Sequence, residues 1–327
     1  MMTSSRAIAF AVVVAVLACI AGVLAGSSGF GLASVDIMTS IRVPRVLAGF
    51  GAGAALAVSG ALMQLLTRNA LADPYVLGVA GGAAVGALGA MLVAAAAGMQ
   101  LSEWGVAGGA AIGAAAASAL LFGLLWRRLA STATSSGGDG AAALLLVGVM
   151  IGSGCSALVS LILTLADEGQ LRGMVFWLLG DLNGATHWEI VWIALALALA
   201  VVWPKARELD WLARGDAWAA TLGVPVGRRR RAVLLASALA TGAAVATAGA
   251  IGFVGLVVPH ACRLIVGVDH RWLLPFSAVL GAALLTGADV LGRIIARPSE
   301  IDVGIITALI GAPFFIYIVR RRKVREL

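Results

Sequence analysis

Arg42 and Arg45 stand three residues apart in the segment IRVPR. Side chains at that spacing share one face of a helix, and Pro44 between them suits a helix's first turn. With Arg293 they read as an exposed cationic face able to accept carboxylates from a partner protein. Each exposed pair would contribute only about 0.2–1 kcal/mol, so the set would orient a partner more than hold it. The plainer reading is a set of arginines anchored where apolar stretches meet water, and the residues alone leave both open. Asp289 is the clearest carboxylate inside an apolar stretch, and Arg293, one turn on, is its expected partner. His187, His260 and His270 have no metal-ligand spacing, so interfacial or loop roles are expected of them. His187 is expected to face outward, where it could meet a metal-bearing substrate. Cys19, Cys155 and Cys262 sit in apolar stretches without a paired spacing and read as small packing residues. No nucleophile–base pair or metal cluster is visible, and no glycine-rich phosphate loop ends in Lys-Ser/Thr. The chain is therefore read as having no catalytic residues and no metal site.

These residues must be positioned by apolar helices. The chain has 327 residues, 61% hydrophobic and 12% charged, with mean hydropathy +1.02. That leaves too little polar surface for a soluble domain. Apolar runs of about 18 or more residues can cross the hydrocarbon layer as helices, where backbone groups must bond within their own segment. Ten spans are predicted, at 7–26, 44–66, 76–98, 105–127, 142–165, 187–204, 232–251, 253–267, 272–295 and 303–320. The break at 251–253 is the narrowest. The fold expected is an all-α polytopic membrane protein, with residues 1–327 forming one transmembrane domain. The run Ala7–Ala25 behind Arg6 is longer than a signal peptide's apolar core and reads as an uncleaved first helix.

Lys and Arg cluster in alternate loops: Arg127 and Arg128; Lys205, Arg207 and Arg214; Arg228 to Arg231; Arg271; and Arg320 onward. Basic residues are retained on the cytoplasmic side, so both termini are expected there. The net charge of +7 is accounted for by these loops and does not point to nucleic acid. Arg42, Arg45 and Arg293 then fall on the outer side, against the charge preference. Gly78/Gly82/Gly86, Gly105/Gly109/Gly113 and Gly148/Gly152 recur every four residues, which suits close helix packing. Ala130–Gly140 reads as a flexible loop.

The longest polar segment, 205–231, reads as helix–turn–helix. Leu209, Leu212 and Ala213, then Ala217 and Ala220, supply an apolar face. Gly215 breaks it, and Gly223 and Pro225 end it. Two short helices on the inner surface could be a lever for a cytoplasmic protein or a plain interfacial segment.

Two blocks, Arg42–Gly86 (from RVPRVLAGFG to LGVAGGAAVG) and Gly249–Arg321 (from GAIGFVGLVVPH to FFIYIVRR), resemble the FecCD permease family. The resemblance runs over nearly the whole chain. It implies a cobalamin-permease-like subunit of about ten transmembrane helices in a type II ABC importer. Such a subunit pairs with a second copy of itself, two cytoplasmic ATPase subunits and a periplasmic substrate-binding protein, in a bacterial inner membrane. It moves an iron–siderophore complex, haem or cobalamin inward. ATP and Mg would belong to the ATPase, and no cofactor to this chain. The resemblance gives Arg42, Arg45 and Arg293 a docking role toward the binding protein. Gly215, Ala219, Leu222 and Gly223 fall in the coupling segment that engages the ATPase. Ala141, Ala142 and Ala143 stand where the family often has Ser or Thr at the cytoplasmic gate. Two further positions depart from the family pattern: Arg68-Asn69-Ala70-Leu71-Ala72 lacks the usual proline, and Asp302 replaces another. The rival is an ion-coupled secondary transporter, which needs ionisable groups within the spans; Asp289 is the one candidate.

Overall fold

Runs of Ala, Val, Leu and Gly with few interruptions satisfy their backbone groups as helices in apolar surroundings, and helices dominate this chain. The computed structural model describes residues 4–26, 29–31, 33–130, 139–185 and 187–325. It opens with α1 (Ser4–Leu24) and a hairpin of β1 (Ala25–Gly26) and β2 (Gly29–Phe30). Next come α2 (Val35–Ile37), a π turn (Met38–Arg42), α3 (Val43–Leu66), a 3-10 turn (Pro74–Leu77), α4 (Val79–Ala96), α5 (Glu103–Ala130) and α6 (Asp139–Leu165). The remainder is α7 (Glu168–Leu179), α8 (Trp188–Val202), α9 (Ala206–Arg214), α10 (Asp216–Thr221), α11 (Val226–Ala248), α12 (Val254–Val266), α13 (His270–Ile295) and α14 (Val303–Arg325). β1 and β2 pair antiparallel.

Among the described residues seven helices are long and apolar enough to cross a membrane. The shorter apolar helices Ile8–Leu24, Val254–Val266 and Val303–Tyr317 bring the set to the ten expected. The narrow break is present: α11 stops at Ala248, Gly249 turns at φ +70, and Phe253 at φ +69 starts α12. α7 is an addition. Asp167 and Glu168 at its start are helix-opening signals, but its 12 residues are too few to span. The expected flexible stretch Ala130–Gly140 falls mainly on 131–138, outside the described residues.

α3 is the axis of the bundle. From Val46 to Leu66 only Leu47 and Phe50 keep partial exposure. Helices come this close only where side chains are small. A methyl group on Gly53 would strike the Gly281 carbonyl in α13, and one on Gly60 the Gly255 carbonyl in α12. Hydroxyls add a tie between α3 and α11: Ser59 Oγ lies 2.7 Å from Ser237 Oγ and 2.6 Å from Thr241 Oγ1. The four-residue glycine spacing works as expected between α4 and α5, where Gly82 meets Gly113 and Gly86 meets Gly109. Gly105 lies outside that mesh against Leu101, and Gly148 backs onto Val76 instead. We expect Gly113→Val to cost about 1–3 kcal/mol, because its side chain must displace the Gly82 backbone. Thermal melting of the purified protein measures this, and an unchanged midpoint would contradict the mesh.

The missing proline in Arg68–Ala72 is made good locally. Asn69 Oδ1 accepts from the Leu71 N–H at 3.0 Å, and the Asn69 carbonyl accepts from the Ala72 N–H at 3.1 Å. Asp73 then caps the 3-10 turn by accepting from the Tyr75 N–H at 2.8 Å. Burial pushes its carboxyl up to about 6 against that hydrogen bond. Of the cysteines, Cys262 is buried in the core and Cys19 and Cys155 are half-buried.

Candidate functional site

The outward arginines are not an exposed face. Arg42 and Arg45 are each 8% exposed and Arg293 is 2% exposed. The reason is that nearby backbone and carboxylate oxygens converge on them. Arg42 Nη1 donates to the carbonyls of Val23 (2.9 Å), Leu24 (3.2 Å) and Gly31 (2.8 Å), which gathers the end of α1 and the β1–β2 hairpin. Arg45 donates from Nε and Nη2 to Asp289 Oδ1 at 2.9 and 2.7 Å. Its Nη1 reaches Glu300 Oε2 at 2.8 Å and also bonds Asn183 Oδ1. Arg293 pairs with Asp289 Oδ2 at 2.7 Å, as its spacing predicts, and donates to the carbonyls of Gly22 and Ala25 at 3.0 and 2.7 Å. Asp289 is thus clamped between two guanidinium groups. Beside this network, burial raises the Asp181 carboxyl, with Asp289 and Glu300 adding to the rise and the Asn183 N–H and Arg45 opposing it. Asp302 is raised by burial and by Asp181.

His187 also departs from expectation. It is buried at 6% exposure, with its ring 3.5 Å from that of Trp104, centroid to centroid. It borders a cavity of about 350 Å³ with Glu103, Phe176, Trp177 and Asp181. Among the described residues no group of three His, Cys, Asp or Glu side chains is placed to hold a metal ion.

On the opposite side the helix–turn–helix is present as α9 and α10. Gly215 separates them at φ +136, and Gly223 ends the second at φ +79, both open to glycine and strained for other residues. The expected apolar face is only half right. Leu209 and Leu212 are buried, but Ala213, Ala217 and Ala220 are exposed. Within the coupling set, Ala219 is fully buried in a small cluster with Leu212, Val224 and Val226. It supports α10 and cannot itself touch a partner; Leu222 and Gly223 are the exposed members. Trp218, 53% exposed, adds an apolar knob that the sequence reading passed over. α10 is tethered through Asp216, which pairs with Arg68 after α3 and with Arg230 of α11, the latter at 3.1 Å. The basic run in the first turns of α11 has divided roles: Arg229 bonds Glu208, Arg230 holds Asp216, and Arg231 lies over the Trp126 ring at 4.6 Å.

α6 is the least enclosed of the seven long apolar helices, with only 11% of its most apolar stretch buried. Its open side carries Ser153, Ser156, Ser160 and Thr164, all exposed and at spacings of three and four. Ser160 and Thr164 return hydrogen bonds to the carbonyls four residues back at 3.0 and 2.8 Å, so the stripe is polar without stranded donors. The signal was in the sequence, hidden by averaging hydropathy over the window. Ala141, Ala142 and Ala143 fall in the first turns of α6. Ala142 is exposed and Ala143 half-buried, while the Ala141 side chain lies outside the described residues.

Ten apolar helices, a polar stripe on the exposed side of one of them, and a tethered two-helix projection define a multi-span membrane transport subunit. The chain belongs to the FecCD transport family, which matches residues 6–321. It is 43% identical over 294 residues to the cobalamin import system permease protein BtuC of Halobacterium salinarum, covering 89% of this chain and 75% of that one. Against the hemin transport system permease protein HmuU of Yersinia pestis the identity is 40% over 290 residues, covering 88% and 84%. A solved structure described as an inward-facing conformation of a metal-chelate type ABC transporter superposes with TM-score 0.82 at 29% identity, covering 95% of this chain and 97% of that one. PsaBC from Streptococcus pneumoniae shares the fold, with TM-score 0.57 at 15% identity over 87% and 91% of the two chains.

Proposed function

We propose that residues 1–327 act as one permease domain of an ATP-driven importer in the cytoplasmic membrane, passing a metal chelate inward. The observation that carries this is the hydroxyl stripe Ser153, Ser156, Ser160 and Thr164 on the unpacked side of α6. A helix in lipid gains nothing from such a stripe, whereas a second copy facing it across a water-filled path does. Hydroxyls bind a bulky chelate weakly at each point, which lets it leave. The names of the relatives, cobalamin and hemin permeases, support a corrin- or porphyrin-sized chelate or one like it. Asp289, the one group suited to ion coupling, is held between Arg45 and Arg293 and has no free valence for a travelling ion.

In this reading the projection of α9 and α10 faces the cytoplasm and meets an ATPase subunit through Trp218, Leu222 and Gly223, and ATP and Mg stay with that partner. Both termini are cytoplasmic. The binding protein lands on the opposite rim. Arg42, Arg45 and Arg293 brace that rim from within by fixing the hairpin, α3 and α13 to one another.

The test is uptake into proteoliposomes holding this chain, its ATPase and its binding protein, with cyanocobalamin, haemin and a ferric siderophore offered in turn. We expect ATP-dependent uptake of one of them, reduced at least tenfold by Ser160→Phe. Uptake driven by a proton or sodium gradient without the ATPase would overturn the reading.

A further inference from the structure

A second polar site lies where α8, α9 and α13 meet. Trp203, Pro204 and Lys205 form a 3-10 turn between α8 and α9, Arg207 lies in the first turn of α9, and Arg271 and Trp272 begin α13. Together they line an open cleft of about 730 Å³, floored by Trp211. Trp203 and Trp272 are each about half exposed, at 52% and 47%. The Trp203 indole N–H donates to the Arg271 carbonyl at 3.2 Å, which fixes one wall of the cleft to the other. Indole rings at the ends of spanning helices sit at headgroup depth.

The charges are arranged to leave cations available. The Glu208 carboxylate is taken by Arg229 and lies 3.9 Å from Lys205 Nζ. Asp210 is taken by His270, whose N–H donates to it at 3.0 Å. Asp269 accepts from the Arg271 backbone N–H at 2.9 Å. Among the described residues Arg207 and Arg271 form no direct ion pair, and Arg207 acts on the Asp269 carboxylate only through its charge. Two guanidinium groups therefore line the cleft beside the Lys205–Glu208 pair and three indole rings, those of Trp203, Trp211 and Trp272. A monoanionic or dianionic phosphate with attached hydrocarbon satisfies both halves, whereas a free phosphate uses only the cations.

We infer that this cleft binds the phosphate headgroup of an anionic phospholipid, whose acyl chains run along α8 and α13. Its assignment to the cytoplasmic leaflet rests on the orientation proposed above; the headgroup chemistry does not. The site adjoins the root of the α9–α10 lever, so an occupying lipid ties the lever's base to the bilayer.

Native mass spectrometry of the full chain, extracted from nanodiscs of equal phosphatidylglycerol and phosphatidylethanolamine, tests this. We expect retained phosphatidylglycerol in excess. Arg207→Gln and Arg271→Gln should each lower that excess about fivefold, following the usual contribution of one basic side chain near a charged leaflet. Arg228→Gln, an exposed basic residue outside the cleft, should leave it unchanged. Equal retention of the two lipids, or the same fall with Arg228→Gln, would overturn the proposal. So would displacement of the lipid by millimolar inorganic phosphate, which would make this a free-phosphate site. Loss of ATPase association in the cleft variants with lipid retention intact would make it a protein interface and equally end the lipid reading. None of these outcomes depends on whether the chain transports a chelate.

Discussion

Asp289→Asn is expected to destabilise the protein by about 3–5 kcal/mol, the scale found when one partner of a buried ionic cluster is removed. Asp289 is 3% exposed and supplies both the Oδ1 that Arg45 grips and the Oδ2 that faces Arg293. Asparagine keeps the volume but leaves two buried guanidinium groups facing one neutral amide. Arg293 would still reach the Gly22 and Ala25 carbonyls, and Arg45 would still reach Glu300, so the chain should insert and then melt early. Glu300→Gln should cost much less, because Glu300 is partly exposed and Arg45 retains Asp289. Replacing Asp289, Arg45 and Arg293 together by Leu, Met and Met should recover most of the loss, since an apolar set of similar size needs no desolvation of charge. Chemical denaturation in detergent micelles provides the comparison. A loss below about 1 kcal/mol for Asp289→Asn would show that the network contributes little to holding α1, α3 and α13 together.

Gly223→Pro is expected to reduce uptake at least tenfold while ATP hydrolysis by the assembled transporter continues. Gly223 sits at φ +79, and its N–H donates to the Ala220 carbonyl at 3.0 Å. Proline holds φ near −65° and has no N–H, so the end of α10 must rebuild. The disturbance falls on the small cluster of Leu212, Ala219, Val224 and Val226, which is separate from the main core. The melting midpoint should therefore change little. Gly223→Asn tolerates the left-handed conformation better than other residues do and should keep most of the uptake. Uptake measured in proteoliposomes alongside phosphate release decides the matter, and unaffected uptake would contradict a lever at this position.

The spans were legible because their physics is local: length, hydropathy and the absence of charge mark each helix without knowledge of its neighbours. The Asp289–Arg293 pair was readable for the same reason, resting on helix spacing, whereas the break before α12 has little polar interruption and drew its support from the family resemblance. The burial of Arg42 and Arg45 was not. Their partners are carbonyls at the end of α1 and carboxylates more than two hundred residues away, and a count of basic residues per loop carries no information on what folds over them. Ala219 was misjudged similarly. A motif position shows that a residue matters there, not whether it faces a partner or its own core. α7 escaped notice because a 12-residue helix leaves no span-length signal.

The glycine contacts of α3 bear on how such a subunit can move. Where Gly53 and Gly60 rest on the carbonyls of Gly281 and Gly255, there is no side-chain cushion to shear. Sliding α3 past α12 or α13 would drive main chain into main chain. These three helices must then travel together as a rigid block. α6 is seated differently: it meets the 3-10 turn and α4 along one side, through Gly148, Ile151 and Cys155, and leaves most of its surface outside the packed bundle. Under the proposed function, any change in the width of the path falls to helices outside this block, α6 among them.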